Sequence, residues 1–170
     1  MHRRLRVFLV LFSLVCLFSA VLADEDGPVP GDDSGSGGDS GQCDFTPLEA
    51  AFMRILKADA RQRRANITCN PVLLRVARAR ARDMAERGYF SHTNPDGDGP
   101  NILLIRAGYA LPSWWGNRQS ANNIESISGG RATAAEAYQG WMNSPGHRRH
   151  VLGEIPFYAS QTVVAVGHYY

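Results

Sequence analysis

The chain has 170 residues, 44% of them hydrophobic, with 18 basic and 16 acidic side chains. That balance excludes a wholly disordered chain and a strongly basic nucleic-acid binder, and no nucleic-acid motif is present. Once the two N-terminal segments described next are set aside, about 130 residues remain, the size of one ordinary domain.

The N-terminus has the layout of a secretion signal. Arg3, Arg4 and Arg6 form a basic start, residues 7–22 are almost wholly apolar, and Val21-Leu22-Ala23 supplies a cleavage site. The apolar run is shorter than the ~20 residues of a spanning helix. Residues 1–23 are therefore predicted to be a signal peptide, with an uncleaved anchor as the alternative. No stable membrane span is expected after cleavage, and the protein is expected to be secreted. Residues 24–41 are Gly, Ser, Pro and acid without an aromatic residue, a composition that predicts a disordered acidic tether. Gly38-Asp39-Ser40-Gly41 imitates a serine-protease nucleophile motif, but no histidine lies between the signal and Ser40. Residues 42–170 form the predicted folded domain. It carries 15 basic and 10 acidic residues, so it is mildly basic behind an acidic tether.

Cys16 leaves with the signal. Cys43 and Cys69 remain as an even pair, which in an exported protein predicts a disulfide, the alternative being two free thiols.

Thr46-Pro47-Leu48-Glu49 is a capping box, and Leu48, Phe52, Ile55 and Leu56 continue at helical spacing, predicting a helix to about Arg63. Asn70-Pro71 opens a second helix that Gly88 closes, with Leu73, Ala77, Ala81 and Met84 as its apolar stripe. Its arginines are read as a solvated face. A short helix is expected over residues 101–107, another from the capping box Thr133-Ala134-Ala135-Glu136 to Met142, and a helical turn over residues 147–152. Residues 162–169, rich in valine and tyrosine, read as a strand. Helices followed by strand predict an α+β fold.

Two histidines lie just beyond helix ends, in Tyr89-Phe90-Ser91-His92-Thr93 and in Asn143-Ser144-Pro145-Gly146-His147. Neutral imidazoles from two such loops can share one divalent metal or hydrogen-bond one polar ligand. The stretches Gly88-Tyr89-Phe90-Ser91-His92-Thr93-Asn94-Pro95-Asp96-Gly97 and Trp141-Met142-Asn143-Ser144-Pro145-Gly146-His147-Arg148 strongly resemble bacterial members of the CAP superfamily, the SCP-like extracellular proteins. The superfamily takes its name from cysteine-rich secretory proteins, antigen 5 and pathogenesis-related 1 proteins. The resemblance runs from about Phe45 to Tyr170. It implies an α-β-α sandwich with a central antiparallel sheet, and a cleft holding two histidines and two acidic residues. His92 and His147 match the histidine positions. Some relatives bind zinc or other divalent ions there; others bind sterols, fatty acids or other small apolar ligands.

The chain departs from the family's pattern at Ala121-Asn122-Asn123-Ile124, where the usual glutamate is Asn122. Glu125 follows three residues later, and a helical segment would keep it on the same face as Asn122. Glu136, the second acidic position, doubles as the partner of Thr133 in its capping box. Relatives continue into one more strand after the position of Tyr170, so the last strand is expected to be missing: either the chain is a fragment or the sheet has an unpaired edge. Asn94-Pro95-Asp96-Gly97-Asp98-Gly99 imitates half an EF-hand loop, but Ile105 stands where the bidentate glutamate belongs, so it reads as a turn. His147 and His150, three residues apart, could face together without making a zinc site by themselves.

The resulting expectation is a secreted, non-enzymatic binding module. His92, Asn122, Glu125 and His147 line its cleft, with His92 and His147 as metal ligands if one binds. No cofactor is required; a divalent ion such as zinc is the one envisaged. Its partner would be an extracellular ligand or a cell-surface component. Tyr89, Trp114 and Trp115 are candidate apolar walls, with core packing as their other role. The alternatives are an extracellular hydrolase using His92, His147 and Glu125, and a protein–protein module with a vestigial pocket.

Overall fold

A computed structural model describes residues 8–14 and 42–170. The cleavage site, Cys16 and the tether lie outside the described residues. Three strands, β1 (Phe8–Leu14), β2 (Glu125–Gly129) and β3 (Val163–Tyr169), combine with six helices, α1 (Pro47–Ala58), α2 (Pro71–Arg87), α3 (Pro100–Arg106), α4 (Ala134–Met142), α5 (Pro145–Val151) and α6 (Pro156–Ala159). The chain is thus a mixed helix-and-strand fold.

The helix boundaries follow from local chemistry. The Thr46 side chain and Glu49 close a reciprocal capping box on α1, and Thr133 with Glu136 does the same for α4. Glu136 is therefore committed to a cap. The Asn70 side chain accepts from the backbone N–H groups of Val72 and Leu73, and α2 ends at Gly88 with φ +69°, a left-handed conformation that glycine adopts without a Cβ penalty. α1 stops at Ala58, short of the expected Arg63. Asp59 turns the chain by accepting from the Arg61 backbone and guanidinium, and Arg64 then turns inward.

β3 carries the core. Val163 and Ala165 pack with Leu73, Leu74, Ala77, Ala81 and Met84 of α2. Val164 and Val166 pack on the opposite face with Phe52 and Leu56 of α1 and with Tyr138 and Trp141 of α4. The period-2 alternation of a strand divides its residues between two apolar clusters. Gly167 passes so close to α2 that a Cβ would lie 2.2 Å from the Arg78 backbone nitrogen.

The sheet order is β2-β1-β3, with both neighbours antiparallel to β1. Register runs from Phe8↔Gly129 to Phe12↔Glu125 on one side, and from Phe8↔Tyr169 to Leu14↔Val163 on the other. Phe8–Leu14, inside the segment read as the signal, pairs as the middle strand, between the two strands of the domain. β2 was also not anticipated, because Glu-Ser-Ile-Ser-Gly is too polar to announce a strand. Cys43 and Cys69 form a disulfide across 26 residues of sequence, tying the start of the domain to the loop before α2.

Candidate functional site

A cleft of about 290 Å³ opens beside the start of β2, and His92, Asn122, Glu125, Ser126, His147 and His150 are among the residues lining it. The four residues expected from sequence are thus brought together, and His150 joins them.

Arg80 organises one wall. It lies on α2 and is 2% exposed. Its Nε donates to Glu125 Oε2 at 3.0 Å, and its Nη2 donates to the carbonyls of Ser91 at 2.9 Å and His92 at 3.2 Å. Burial works against this cation, but the charge and hydrogen bond of Glu125, together with Tyr89, hold the guanidinium above its ordinary value. The arginine run was expected to be a solvated face, and for Arg80 that is corrected. The residue falls between Ala77, Ala81 and Met84 in the buried stripe, and this position was the signal available in the sequence.

Glu125 has a fully buried side chain and meets His92 Nδ1 at 2.9 Å. Asn122 is placed differently from the expectation of a shared helical face. No helix forms there. Its Oδ1 accepts from the backbone N–H groups of Ile124 and Glu125, and its Nδ2 donates to the Glu125 carbonyl. A side-chain turn thus launches β2 with Glu125 pointing to His92. Asn101 and Asn123 brace the same turn reciprocally, at 2.6 and 3.0 Å.

The opposite wall belongs to α5. Ser144 Oγ lies 3.0 Å from His147 Nδ1. Burial, then the nearby His92, hold the His147 imidazole below its ordinary value. His150 is 4% exposed, lies 2.6 Å from Ser126 Oγ through Nδ1, and packs at a tilt against the Tyr158 ring with centroids 4.8 Å apart. Burial pushes it well below the usual imidazole range, with Arg64, His147 and His92 adding to the effect. Buried Arg64 donates to the carbonyls of His150, Val151 and Gln161, fixing the far side of this wall. Sequence reasoning passed over Arg64, which no periodic pattern marks.

Tyr89, Trp114 and Trp115 do not line the cleft. The Tyr89 hydroxyl donates to Asp83 and accepts from Arg80. Trp115 packs in the core, and Trp114 is 71% exposed. Asn94 makes the turn expected there, its Oδ1 accepting from the backbone N–H groups of Asp96 and Asp98. Among the described residues no group of three or more His, Cys, Asp or Glu is placed to hold a metal ion.

A helix-and-strand domain with this two-histidine cleft belongs to a recognisable class of proteins. The Cysteine-rich secretory protein family, CAP, matches residues 53–154, and the chain belongs to that family. It is also similar to the uncharacterized protein YkwD of Bacillus subtilis (strain 168), with 32% identity over 80 residues. That similarity covers 47% of this chain and 28% of YkwD. No solved structure matches.

Proposed function

We propose that this protein is an exported binding domain that holds a small polar ligand between the Nε2 atoms of His92 and His147. One observation carries the reading: both Nδ1 atoms already have partners, Glu125 for His92 and Ser144 for His147. Each ring is therefore oriented by the protein itself, and its remaining nitrogen is left for a ligand in the same cleft. Membership of a secretory family, the basic and apolar N-terminus and the Cys43–Cys69 disulfide support export.

An imidazole held through Nδ1 by a carboxylate is also the arrangement that metal-ligating histidines use. His92 and His147 would be the metal's ligands. Two nitrogens fall short of the three protein ligands of a catalytic zinc site, so the reading assigns the imidazoles to hydrogen bonding, with no cofactor required.

The test is histidine side-chain NMR on the full chain, titrated separately with acetate, inorganic phosphate and zinc chloride. Acetate or phosphate is expected to move the His92 and His147 signals, and in His92→Ala the His147 response should be weakened, as should the His92 response in His147→Ala. Response to zinc alone would replace this reading with the metal one, and no response to any probe would overturn both.

The His92–Glu125 contact also favours a second reading, a hydrolase acting on peptide or cell-wall material. His92 would be the general base and Glu125 its orienting partner. Incubation with a peptide library discriminates: cleavage that disappears in His92→Ala supports the hydrolase, and an unaltered library supports the binding domain.

A further inference from the structure

We propose that Trp114, Trp115, Phe157 and Tyr158 form an aromatic ridge that leads a glycan chain into the two-histidine cleft. Where the glycan ends rests on the two-histidine reading; the ridge itself does not. The four residues are two adjacent pairs on two short turns, Ser113–Trp115 and Pro156–Ala159. Their rings run in series. Trp114 meets Trp115 with centroids 5.7 Å apart and Phe157 at 6.2 Å. Phe157 meets Tyr158 at 5.1 Å, and Tyr158 packs against His150 at 4.8 Å. Tyr158 also lines the cleft. The rings therefore run unbroken from solvent to the cleft.

Two members are built in ways that packing alone does not explain. Trp114 is 71% exposed, yet it is braced edge-on by both Trp115 and Phe157, at interplanar angles of 86° and 75°. The indole is held in place while most of its surface stays in water. A large exposed apolar group joined to further apolar surface marks a place where something binds. Trp115 carries the second sign. Its Nε1 is buried with no hydrogen-bond partner, the one such side-chain atom among the described residues. Buried donors are normally satisfied, so the ridge holds a donor that the domain itself leaves unpaired.

Ring chemistry selects the occupant. A pyranose carries hydroxyls around its rim and C–H groups on its faces. Those C–H hydrogens are weakly positive and suit the negative face of an aromatic ring, while the hydroxyls need donors and acceptors. The ridge supplies the first and the cleft the second, through Asn122, Asn123, His92 and His147. An acyl chain gains by removing its whole length from water. Ring surfaces beside an open, mainly polar cleft offer it cover on one side only.

The test adds cellohexaose and chitohexaose separately to the full chain and follows tryptophan fluorescence and the histidine NMR signals. Binding of at least one sugar is expected, with a shift in indole emission and movement of the His147 signal. Trp114→Ala should weaken that binding about tenfold. Tyr170→Ala removes another exposed ring and should leave it unchanged. In Trp114→Ala, acetate and phosphate should still move the His92 and His147 signals, which separates the ridge from the cleft reading. Binding of neither sugar, or equal binding by Trp114→Ala, overturns the ridge whatever acetate does to the histidines. Sugar binding that leaves the His147 signal in place overturns the passage from ridge to cleft. Binding of palmitate and of neither sugar overturns the glycan in favour of a lipid. A dimer that Trp114→Ala abolishes, with no sugar bound, overturns it in favour of a contact between copies.

Discussion

The buried Glu125 carboxylate joins Arg80 and His92, accepting from Arg80 Nε at 3.0 Å and meeting His92 Nδ1 at 2.9 Å. Arg80 in turn holds the carbonyl of His92. The imidazole is therefore fixed twice by one pair of charges, once through its ring and once through its backbone.

Removing one partner of a buried ion pair leaves the other charge stranded, which costs more than the pair contributes. Glu125→Ala and Arg80→Ala are each expected to lose about 3–5 kcal/mol of stability in denaturant unfolding. Arg80→Met/Glu125→Met should lose less than either. A double variant as unstable as the sum of the singles would show that the charges act independently.

Acid should weaken the fold before its carboxylates titrate. Burial depresses the His150 imidazole well below 6.5, and His147 is depressed as well. Between those lowered folded values and the ordinary unfolded one, the unfolded chain binds more protons, so stability rises with pH. The contribution is complete above the unfolded imidazole value and is lost as pH falls through the window beneath it. Melting temperature should fall from pH 7 to pH 5 at the wild-type cleft, and His150→Gln should flatten that slope. An equally steep slope in the variant would place the titration elsewhere.

Gly167→Ala should disturb packing rather than chemistry. The new methyl would meet the α2 backbone at Arg78, 2.2 Å away, and backbone there cannot rotate aside. A loss of about 1–3 kcal/mol is expected. Heat-capacity measurements at neutral pH check it, and an unchanged melting temperature contradicts the close approach.

The disulfide closes a span of 26 residues that includes α1. Its removal in Cys43→Ser/Cys69→Ser should cost roughly 3 kcal/mol, mainly by freeing the unfolded chain. Urea unfolding of oxidised, reduced and doubly substituted protein measures this directly; a midpoint unmoved by reduction would refute it.

The parts of this domain written as local rules were legible in its sequence. Thr46, Asn70 and Thr133 announced their helices, Gly88 announced an end, and the two histidine motifs marked the cleft. What stayed hidden depends on distant pairing. Arg80 reads as one more surface arginine until Glu125 arrives from 45 residues away. Asn122 and Glu125 have helical spacing, but the Asn122 side chain satisfies the backbone in a tight turn, and a strand follows instead. Phe8–Leu14 has an apolar composition that an export signal and a covered strand share, so its pairing with β2 and β3 was not legible.

β3 belongs to both apolar clusters, donating alternate residues to each. Neither cluster can melt while the other stays intact, because both would have to share a strand that is half released. The two layers of helix are thereby joined into one cooperative unit. Amide protons along Val163–Tyr169 should consequently exchange with solvent only when the whole domain opens, at the slow limit set by global unfolding.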